Sequence, residues 1–211
     1  LKEHLYTGPA PSGSISYDFE QKNEAFCTSG QVQYVALCGN YRKAGFAYTG
    51  ALRILKVILS YDYLWNNIRV KGGAYGCSAG FQRKGGVYFA SYRDPNLSRT
   101  LEVYRNCPEY IRKFDADERE MTKYIIGTIS ELDVPMNPSA KGQVSMNAWF
   151  TKITEADFQK ERDEVLNATA EDIRKTADLV EAALSQKNLC VIGSEAAIQK
   201  EKQLFGAIDR I

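Results

Sequence analysis

Two side chains separated by a double glycine have the chemistry to act together. Arg69 and Tyr75 lie on either side of Gly72 and Gly73 in residues 68–76, here called the glycine corner. A guanidinium is permanently charged and can hold a peptide carbonyl oxygen, and a phenol is a neutral donor of similar reach. Together they could stabilise an oxyanion on a scissile carbonyl, and a Gly-Gly bend would leave no side chain to block a substrate. The spacing alone favours a plainer interpretation, in which Arg69 is a surface arginine at a helix end and Tyr75 is packed in a hairpin.

Other catalytic chemistry has little support. His4 is the one histidine, whereas Ser-His and Cys-His catalysis need a placed histidine base and catalytic zinc usually takes two or three histidines. We therefore expect the chain alone to bind no metal and to hydrolyse nothing. The double glycine precedes a predicted strand, whereas a phosphate-binding loop leads into a helix N-terminus. The odd number of cysteines, with no C-x-x-C pair, favours small buried side chains in a reducing compartment. The cysteines are Cys27, Cys38, Cys77, Cys107 and Cys190.

The overall charge is nearly balanced. The 211 residues include 27 Lys and Arg and 26 Asp and Glu, which gives a net charge of +1. This balance argues against a nucleic-acid-binding protein and against a protein held on a membrane surface by basic residues. No apolar run approaches the roughly 20 residues that a membrane span needs. Because the sequence begins with Leu1 and not with Met, we expect a piece of a longer protein.

The glycine corner must be held by the elements on either side of it. Residues 48–67 carry leucine and isoleucine at helical spacing and are predicted to form a buried helix that the double glycine ends. Residues 77–82 and 87–93 alternate like the two strands of a hairpin, with a turn at residues 84–86. The corner is therefore predicted to connect a helix to a strand.

The two faces of the first hairpin strand differ in side-chain size. Tyr75 and Cys77 are expected on one face, and small residues alternate with them on the other. A face of small residues allows another backbone to approach closely. We expect a helix to pack there, with a bound chain as the alternative. The small residues are Ala74, Gly76, Ser78 and Gly80.

The remaining segments complete an α+β pattern. Hairpins, and not alternating βα units, predict an antiparallel or mixed β-sheet with helices packed on one face, a two-layer sandwich. Asp115 begins a D-x-x-E pattern that resembles a capping box, and Thr154 and Thr169 resemble helix N-caps. A Gly-, Pro- and Ser-rich stretch predicts a linker or extended arm over residues 1–22, followed by a single α+β domain over residues 23–211. Further strands are predicted at residues 25–28, 31–37 and 188–192, and helices at residues 97–113, 115–132, 142–150, 154–166, 169–184 and 195–204.

The glycine corner also carries a resemblance to a known family. Residues 63–76 have the sequence YLWNNIRVKGGAYG and resemble the LWxxIRxKGGAYG segment of the insulinase/pitrilysin zinc metallopeptidases. QVQYV at residues 31–35, SYRDPN at residues 91–96 and KYIIGTI at residues 123–129 resemble the presequence-protease branch of that family. The resemblance covers about residues 23–192, nearly the whole chain, and R-x-x-G-G-A-Y-G is its most specific part.

This resemblance implies a role within a larger enzyme. Enzymes of this branch resemble a clamshell of four related α+β domains of the mitochondrial-processing-peptidase type, with zinc held by an H-x-x-E-H helix in the first domain. The sequence has no H-x-x-E-H, so it resembles the last domain, which lacks zinc ligands and contributes an arginine and a tyrosine. The resemblance implies that Arg69 and Tyr75 are catalytic, that Gly72 and Gly73 bind substrate with them, and that the full-length enzyme holds zinc through ligands outside this chain.

The expected function follows from the resemblance. We expect the C-terminal, zinc-free domain of a zinc metalloendopeptidase that degrades short unstructured peptides, with the N-terminal zinc-bearing half of the same protein and peptide substrates as its partners. The alternative is a catalytically silent subunit or peptide-binding module of the same fold. An H-x-x-E-H motif N-terminal to Leu1 would decide between them. The expected location is the cytoplasm for a bacterial protein, with an organelle matrix possible for a eukaryotic one.

Overall fold

A computed structural model describes residues 22–211 and three earlier residues, Gly8, Gly13 and Ser16. The predicted linker over residues 1–22, with His4, lies almost wholly outside the described residues. The division of the chain into that linker and a single domain therefore stays a prediction. Among the described residues, no helix is both long and apolar enough to cross a membrane.

One mixed sheet contains all the longer strands of the described part of the chain. Its order is β3-β4-β2-β5-β1-β6, and β1 runs parallel to both β5 and β6 while the other pairs are antiparallel. The predicted strands are confirmed, and β6 is a strand that the sequence pattern did not predict. The strands are β1 (Glu24–Thr28), β2 (Gln33–Asn40), β3 (Gly76–Phe81), β4 (Gly86–Asp94), β5 (Asn188–Ser194) and β6 (Ala207–Arg210).

The helices follow the predicted order with shifted boundaries. The predicted helix over residues 169–184 is divided in two, and the helix expected from residue 142 begins at Pro138, where proline needs no N–H partner. The α-helices are α1 (Ala51–Ile58), α2 (Ser98–Arg112), α3 (Glu118–Leu132), α4 (Pro138–Thr151), α5 (Glu155–Leu166), α6 (Ala170–Arg174), α7 (Ala177–Leu184) and α8 (Glu195–Lys200).

The two faces of the sheet have different environments. In β2, Val35 and Leu37 are buried, while Tyr34, the residue before Val35, is 43% exposed. In β4, Phe89 is fully buried while Tyr88 is exposed. Since successive side chains of a strand point to opposite faces, the helices cover one face and leave the other open. The predicted α+β fold, a mixed sheet with helices on one face, is confirmed.

The helix before the glycine corner is less regular than predicted. After α1, the chain continues through π-helical turns at Leu59–Tyr63 and Trp65–Val70. Leu55 and Ile58 are fully buried, as expected for a helix packed against the sheet. A π turn accommodates an extra residue, and a pattern of apolar residues at a spacing of 3.6 does not reveal it.

Two of the three predicted helix starts are confirmed. Thr154 and Thr169 each accept a hydrogen bond from the N–H three residues later, and they begin α5 and α6. The start predicted at Asp115 is wrong, because Asp117 forms the capping box with Glu120 and begins α3. Both aspartates are followed by glutamate at the third position, so the sequence offers two registers for the same motif.

None of the helices that the structure describes covers the small-residue face of β3, so the predicted helix packing is wrong. Helix α1 lies on the other side of β3, where Ala79 is buried. On the small face, Ser78 is exposed, and Gly80 lies beneath the ring of Tyr88 from the neighbouring strand. A Cβ atom on Gly80 would lie 2.2 Å from Cε1 of Tyr88, so a tyrosine and not a helix explains this glycine.

Candidate functional site

The two glycines of the corner are needed for different reasons. Gly73 has φ of +80°, in the left-handed region that favours glycine, and its N–H donates to the Arg69 carbonyl at 2.9 Å. The N–H of Ala74 reaches back to the Ile68 carbonyl at 3.1 Å. At Gly72, a Cβ atom would lie 2.3 Å from the carbonyl oxygen of Ile68. The double glycine therefore ends the helix, as predicted.

A buried aspartate and an asparagine brace the corner from the end of β4. The Nδ2 of Asn96 donates to the Gly72 carbonyl at 2.6 Å. Asp94 is fully buried, and it accepts from the Asn96 N–H at 2.9 Å and from the Thr100 hydroxyl at 2.6 Å. Sequence reasoning missed this support, although SYRDPN at residues 91–96 was the available signal. The brace fixes the backbone on which the predicted side chains depend.

The π turns position Arg69 on the side of the helix that carries Trp65. The N–H of Lys71 donates to the Asn66 carbonyl at 3.0 Å, five residues earlier. The guanidinium carbon of Arg69 lies 4.0 Å from the centroid of the Trp65 ring, which is a cation–π contact. The Arg69 side chain is exposed, and its guanidinium donates no hydrogen bond to any residue that the structure describes.

Tyr75 lies on the open face of the sheet, next to a bulge in β4. Its ring meets Tyr92 edge-to-face at 5.4 Å, and the guanidinium carbon of Arg93 lies 5.8 Å from its centroid. Arg93 has φ of +49°, and the Tyr75 N–H is shared between the carbonyls of Tyr92 and Arg93 at 3.1 and 3.4 Å. The expectation that Tyr75 shares a face with Cys77 is wrong, because β3 begins only at Gly76 and the bulge changes the alternation.

The structure presents Arg69 and Tyr75 as exposed groups at the two ends of the corner, and no hydrogen bond joins them. Tyr75 is 64% exposed, and its hydroxyl also has no hydrogen-bond partner among residues 22–211. Burial raises the pKa of the nearby Cys77 thiol to about 11 against the lowering effect of the Arg69 charge, which disfavours the nucleophilic thiolate at neutral pH. The corner therefore offers one cationic and one neutral donor to an external acceptor.

In the described part of the chain, the corner coincides neither with a metal site nor with the cleft near α2. The described residues contain no group of three His, Cys, Asp or Glu side chains that could hold a metal ion. These residues therefore do not fit a zinc site. A cleft of about 600 Å³ lies near α2, α7 and β5 and includes none of the predicted site residues. In this part of the chain, the corner is an exposed surface and not an enclosed pocket.

The fold of the chain resembles that of peptidase domains in solved structures. The peptidase M16 inactive domain from Pseudomonas fluorescens aligns with a TM-score of 0.62 at 16% identity, covering 100% of this chain and 48% of that chain. Pitrilysin aligns with a TM-score of 0.55 at 11% identity, covering 82% of this chain and 19% of that chain. At these identities the likeness concerns the fold, which is that of zinc-peptidase domains.

The sequence comparisons identify the family. Residues 23–195 match the model of the PreP C-terminal domain, and the chain belongs to this family. It is 48% identical over 197 residues to protein HypA of Clostridium perfringens, covering 92% of this chain and 20% of that protein. It is 35% identical over 175 residues to presequence protease 1, chloroplastic/mitochondrial, of Arabidopsis thaliana, covering 81% of this chain and 16% of that protein. The chain thus spans a fifth or less of the length of these relatives.

Proposed function

We propose that this chain is the C-terminal, zinc-free domain of a zinc metalloendopeptidase that degrades short unstructured peptides. Residues 23–211 would act as one domain that works with the N-terminal half of the same protein. That half would hold the zinc, because residues 22–211 offer no cluster of ligands for it. On this proposal the chain alone hydrolyses nothing. The protein would lie in the cytoplasm if bacterial, which the similarity to a Clostridium protein supports, or in an organelle matrix if eukaryotic.

Arg69 and Tyr75 would act on the carbonyl group of the scissile bond. Peptide hydrolysis moves negative charge onto the carbonyl oxygen as the tetrahedral intermediate forms. The Tyr75 hydroxyl would donate one hydrogen bond to that oxygen, and the Arg69 guanidinium would donate a charge-assisted one. Gly72 and Gly73 would let the substrate backbone approach the corner. Because the charge is larger in the transition state than in the substrate, these bonds would raise kcat more than they strengthen binding.

The observation that supports this proposal most is the absence of internal partners for both groups. The Arg69 guanidinium and the Tyr75 hydroxyl make no hydrogen bond within the described part of the chain, although the backbone between them is fixed by Asn96 and by two conformationally required glycines. A rigid support that carries unpaired donors is what a preorganised oxyanion site needs. Membership of a family with presequence proteases among the relatives adds to this support.

The test is steady-state cleavage of a short peptide by the full-length enzyme carrying Tyr75→Phe or Arg69→Lys. Tyr75→Phe keeps the ring and removes only the hydroxyl, so we expect kcat to fall roughly 10²- to 10³-fold with little change in KM. Arg69→Lys keeps the charge and loses the fork of donors, so both kcat and KM should worsen. Tyr61→Phe, at another exposed tyrosine, is the control and should cleave like the wild type.

Two outcomes would contradict the proposal. Wild-type kcat/KM in a folded, zinc-loaded Tyr75→Phe enzyme would make Tyr75 a surface residue packed on Tyr92. A full-length protein that lacks an H-x-x-E-H motif and cleaves no peptide would favour the alternative, a catalytically silent subunit or peptide-binding module of the same fold.

A further inference from the structure

The open face of the sheet carries a row of apolar side chains that begins at the glycine corner. Tyr75 contacts Tyr92 of β4 at 5.4 Å between ring centroids, and Tyr92 contacts Tyr34 of β2 at 5.3 Å. Tyr34 pairs with Ile192 of β5, which pairs with Phe26 of β1. The three tyrosines and the isoleucine are between 37% and 64% exposed. These five residues are called the apolar row.

The apolar row crosses the sheet at right angles to its strands. Neighbouring strands lie about 4.8 Å apart, so the four steps from Tyr75 to Phe26 span about 19 Å. An extended peptide advances about 3.3 Å per residue, so the row is as long as roughly six residues. Contiguous exposed apolar surfaces often mark binding sites in soluble proteins.

Small side chains form a floor beside the apolar row. The strand pairing places them side by side in the next row of the sheet: Ser78, Ala90, Ala36 and Cys190. Tyr88 is on the far side of this floor and is 38% exposed. Tyr92 and Tyr88 are four residues apart on one strand, or about 13 Å, with Ala90 of the floor between them. The strip of small side chains between the apolar row and Tyr88 is called the groove, and an extended chain could lie along it.

We infer that this groove binds an extended stretch of the peptide substrate, with apolar or aromatic side chains against the apolar row. The inference rests on the proposed function, because Tyr75 belongs both to the apolar row and to the proposed oxyanion site. The groove therefore starts where the scissile carbonyl would be held. The bound stretch is the roughly six residues on one side of the scissile bond, given the length of the row.

The charges around the groove lie at its ends. Arg93 is next to Tyr75 at one end. At the other end, Glu24 pairs in register with Cys190 and forms a 3.4 Å ion pair with Lys22. The floor and the apolar row between these ends carry no ionised group. The groove should therefore select uncharged apolar side chains in the middle of the bound stretch, since a charge there would lose hydration without gaining a partner.

Peptides of graded length test the groove in the full-length enzyme. The series extends an apolar chain on one side of the scissile bond, and we expect kcat/KM to rise until roughly six residues are present. Tyr34→Ala should lower kcat/KM about tenfold on the longest peptide and leave the shortest one unchanged. Ser78→Trp, at an exposed floor position, should produce the same loss by filling the groove. Tyr61→Ala, an exposed tyrosine outside the groove, is the matched control.

The outcomes separate the groove from the proposed catalytic role. Tyr34→Ala and Ser78→Trp enzymes that match the wild type on every peptide, or that lose the same factor on short and long peptides, would overturn the groove. Tyr75→Phe should lower kcat on short and long peptides alike, so it reports on the oxyanion site. If the full-length protein cleaves nothing, the fluorescence anisotropy of a labelled long apolar peptide decides. Binding that Tyr34→Ala weakens about tenfold supports the groove, and unchanged binding or no binding to the wild type overturns it.

Discussion

Arginine and tyrosine side chains occur together in two parts of this molecule, and they are hydrogen-bonded within the fold in one part and not in the other. At Glu161, which is 4% exposed, the Tyr48 hydroxyl and the side chains of Arg53 and Arg83 all donate to one carboxylate. These four residues are called the Glu161 cluster, and they join α1, the hairpin turn and α5. In the glycine corner, Arg69 and Tyr75 have aromatic neighbours, and their side chains find no hydrogen-bond acceptor among the described residues. The donors of the Glu161 cluster are paired within the fold, whereas those of the corner are unpaired there.

The protonation of the Glu161 cluster reflects this internal pairing. Burial alone would raise the pKa of Glu161, but the hydrogen bonds from Tyr48 and Arg53 and the charges of Arg53 and Arg83 outweigh it, so its pKa is lowered. Burial and the bond to Glu161 raise the pKa of Tyr48. Residue type alone therefore does not mark a functional pair. Stability should depend on the Glu161 cluster, and catalysis should depend on the corner.

The largest effect on stability is expected from Glu161→Gln. The amide keeps the shape of the side chain but leaves two guanidinium groups without a counter-charge, so the free energy of unfolding should fall by about 3 kcal/mol. This is the low end of the range for broken buried pairs, because Arg53 and Arg83 are 39% and 23% exposed. Urea unfolding measures the loss. A change below about 0.5 kcal/mol would show that the cluster contributes no more than an ordinary surface site.

A matched pair of hydroxyl deletions should separate the two regions. Tyr48→Phe removes a hydrogen bond to a buried carboxylate and should lower the free energy of unfolding by about 2 kcal/mol, with kcat of the folded enzyme unchanged. Tyr75→Phe should change stability by less than about 0.5 kcal/mol, while kcat falls. Urea unfolding and peptide cleavage by both full-length variants check this. Loss of stability in both variants, or loss of activity in both, would contradict the assignment of stability to the Glu161 cluster and of catalysis to the corner.

A smaller effect is expected from the backbone of the corner. Gly73→Ala places a Cβ atom at φ of +80°, where its nearest neighbour would be Pro95 at 3.6 Å, so the cost of about 1–2 kcal/mol comes from the backbone and not from a clash. Gly142→Ala in α4 meets nothing within 4 Å and should stabilise by up to about 1 kcal/mol, because alanine favours a helix. Thermal unfolding measures both. If both variants shift the unfolding temperature by the same amount in the same direction, the positive φ of Gly73 is not what makes that substitution costly.

The smallest effect is a difference in acid sensitivity. Because the folded-state pKa of Glu161 is lowered from 4.5, its ionised form contributes stability above that value, and this contribution is lost as the pH falls through the folded pKa. The stability gap between the wild type and Glu161→Gln should therefore narrow as the pH is lowered from 7 to below 4.5. Urea midpoints at each pH measure the gap. A gap that stays constant would mean that Glu161 does not titrate in this range.

Local patterns in the sequence predicted much of the fold and the position of the corner. Leucine spacing before Gly72, strand alternation after it and the Lys84-Gly85-Gly86 turn each involve residues close together in the chain. The predicted helix, hairpin and mixed sheet followed from them. The assignment of Arg69 and Tyr75 needed the family resemblance as well, since their spacing alone also fitted ordinary surface residues. Their catalytic role stays a proposal.

The missed features depend on contacts between distant residues. Asn96 braces Gly72 across 24 positions, and Tyr88 covers Gly80 from another strand. Neither contact produces a pattern among adjacent residues from which the sequence could have predicted it. The bulge at Arg93, which changes the face on which Tyr75 lies, depends on a three-strand arrangement. Strand β6 is only four residues long and pairs with β1, nearly the full length of the chain away.

The place of β5 in the sheet has a consequence for synthesis on the ribosome. Strands β2, β3 and β4 can pair with one another as soon as residue 94 has emerged, because all three end at or before that residue. Strand β1 is made first, but both of its neighbours, β5 and β6, are made last. Until residues 188–194 leave the exit tunnel, Ala25 and Cys27 of β1 lack the sheet partners that bury them. The sheet can therefore be completed only after almost the whole domain has been translated. Until then β1 is exposed to chaperones and to pairing with other chains.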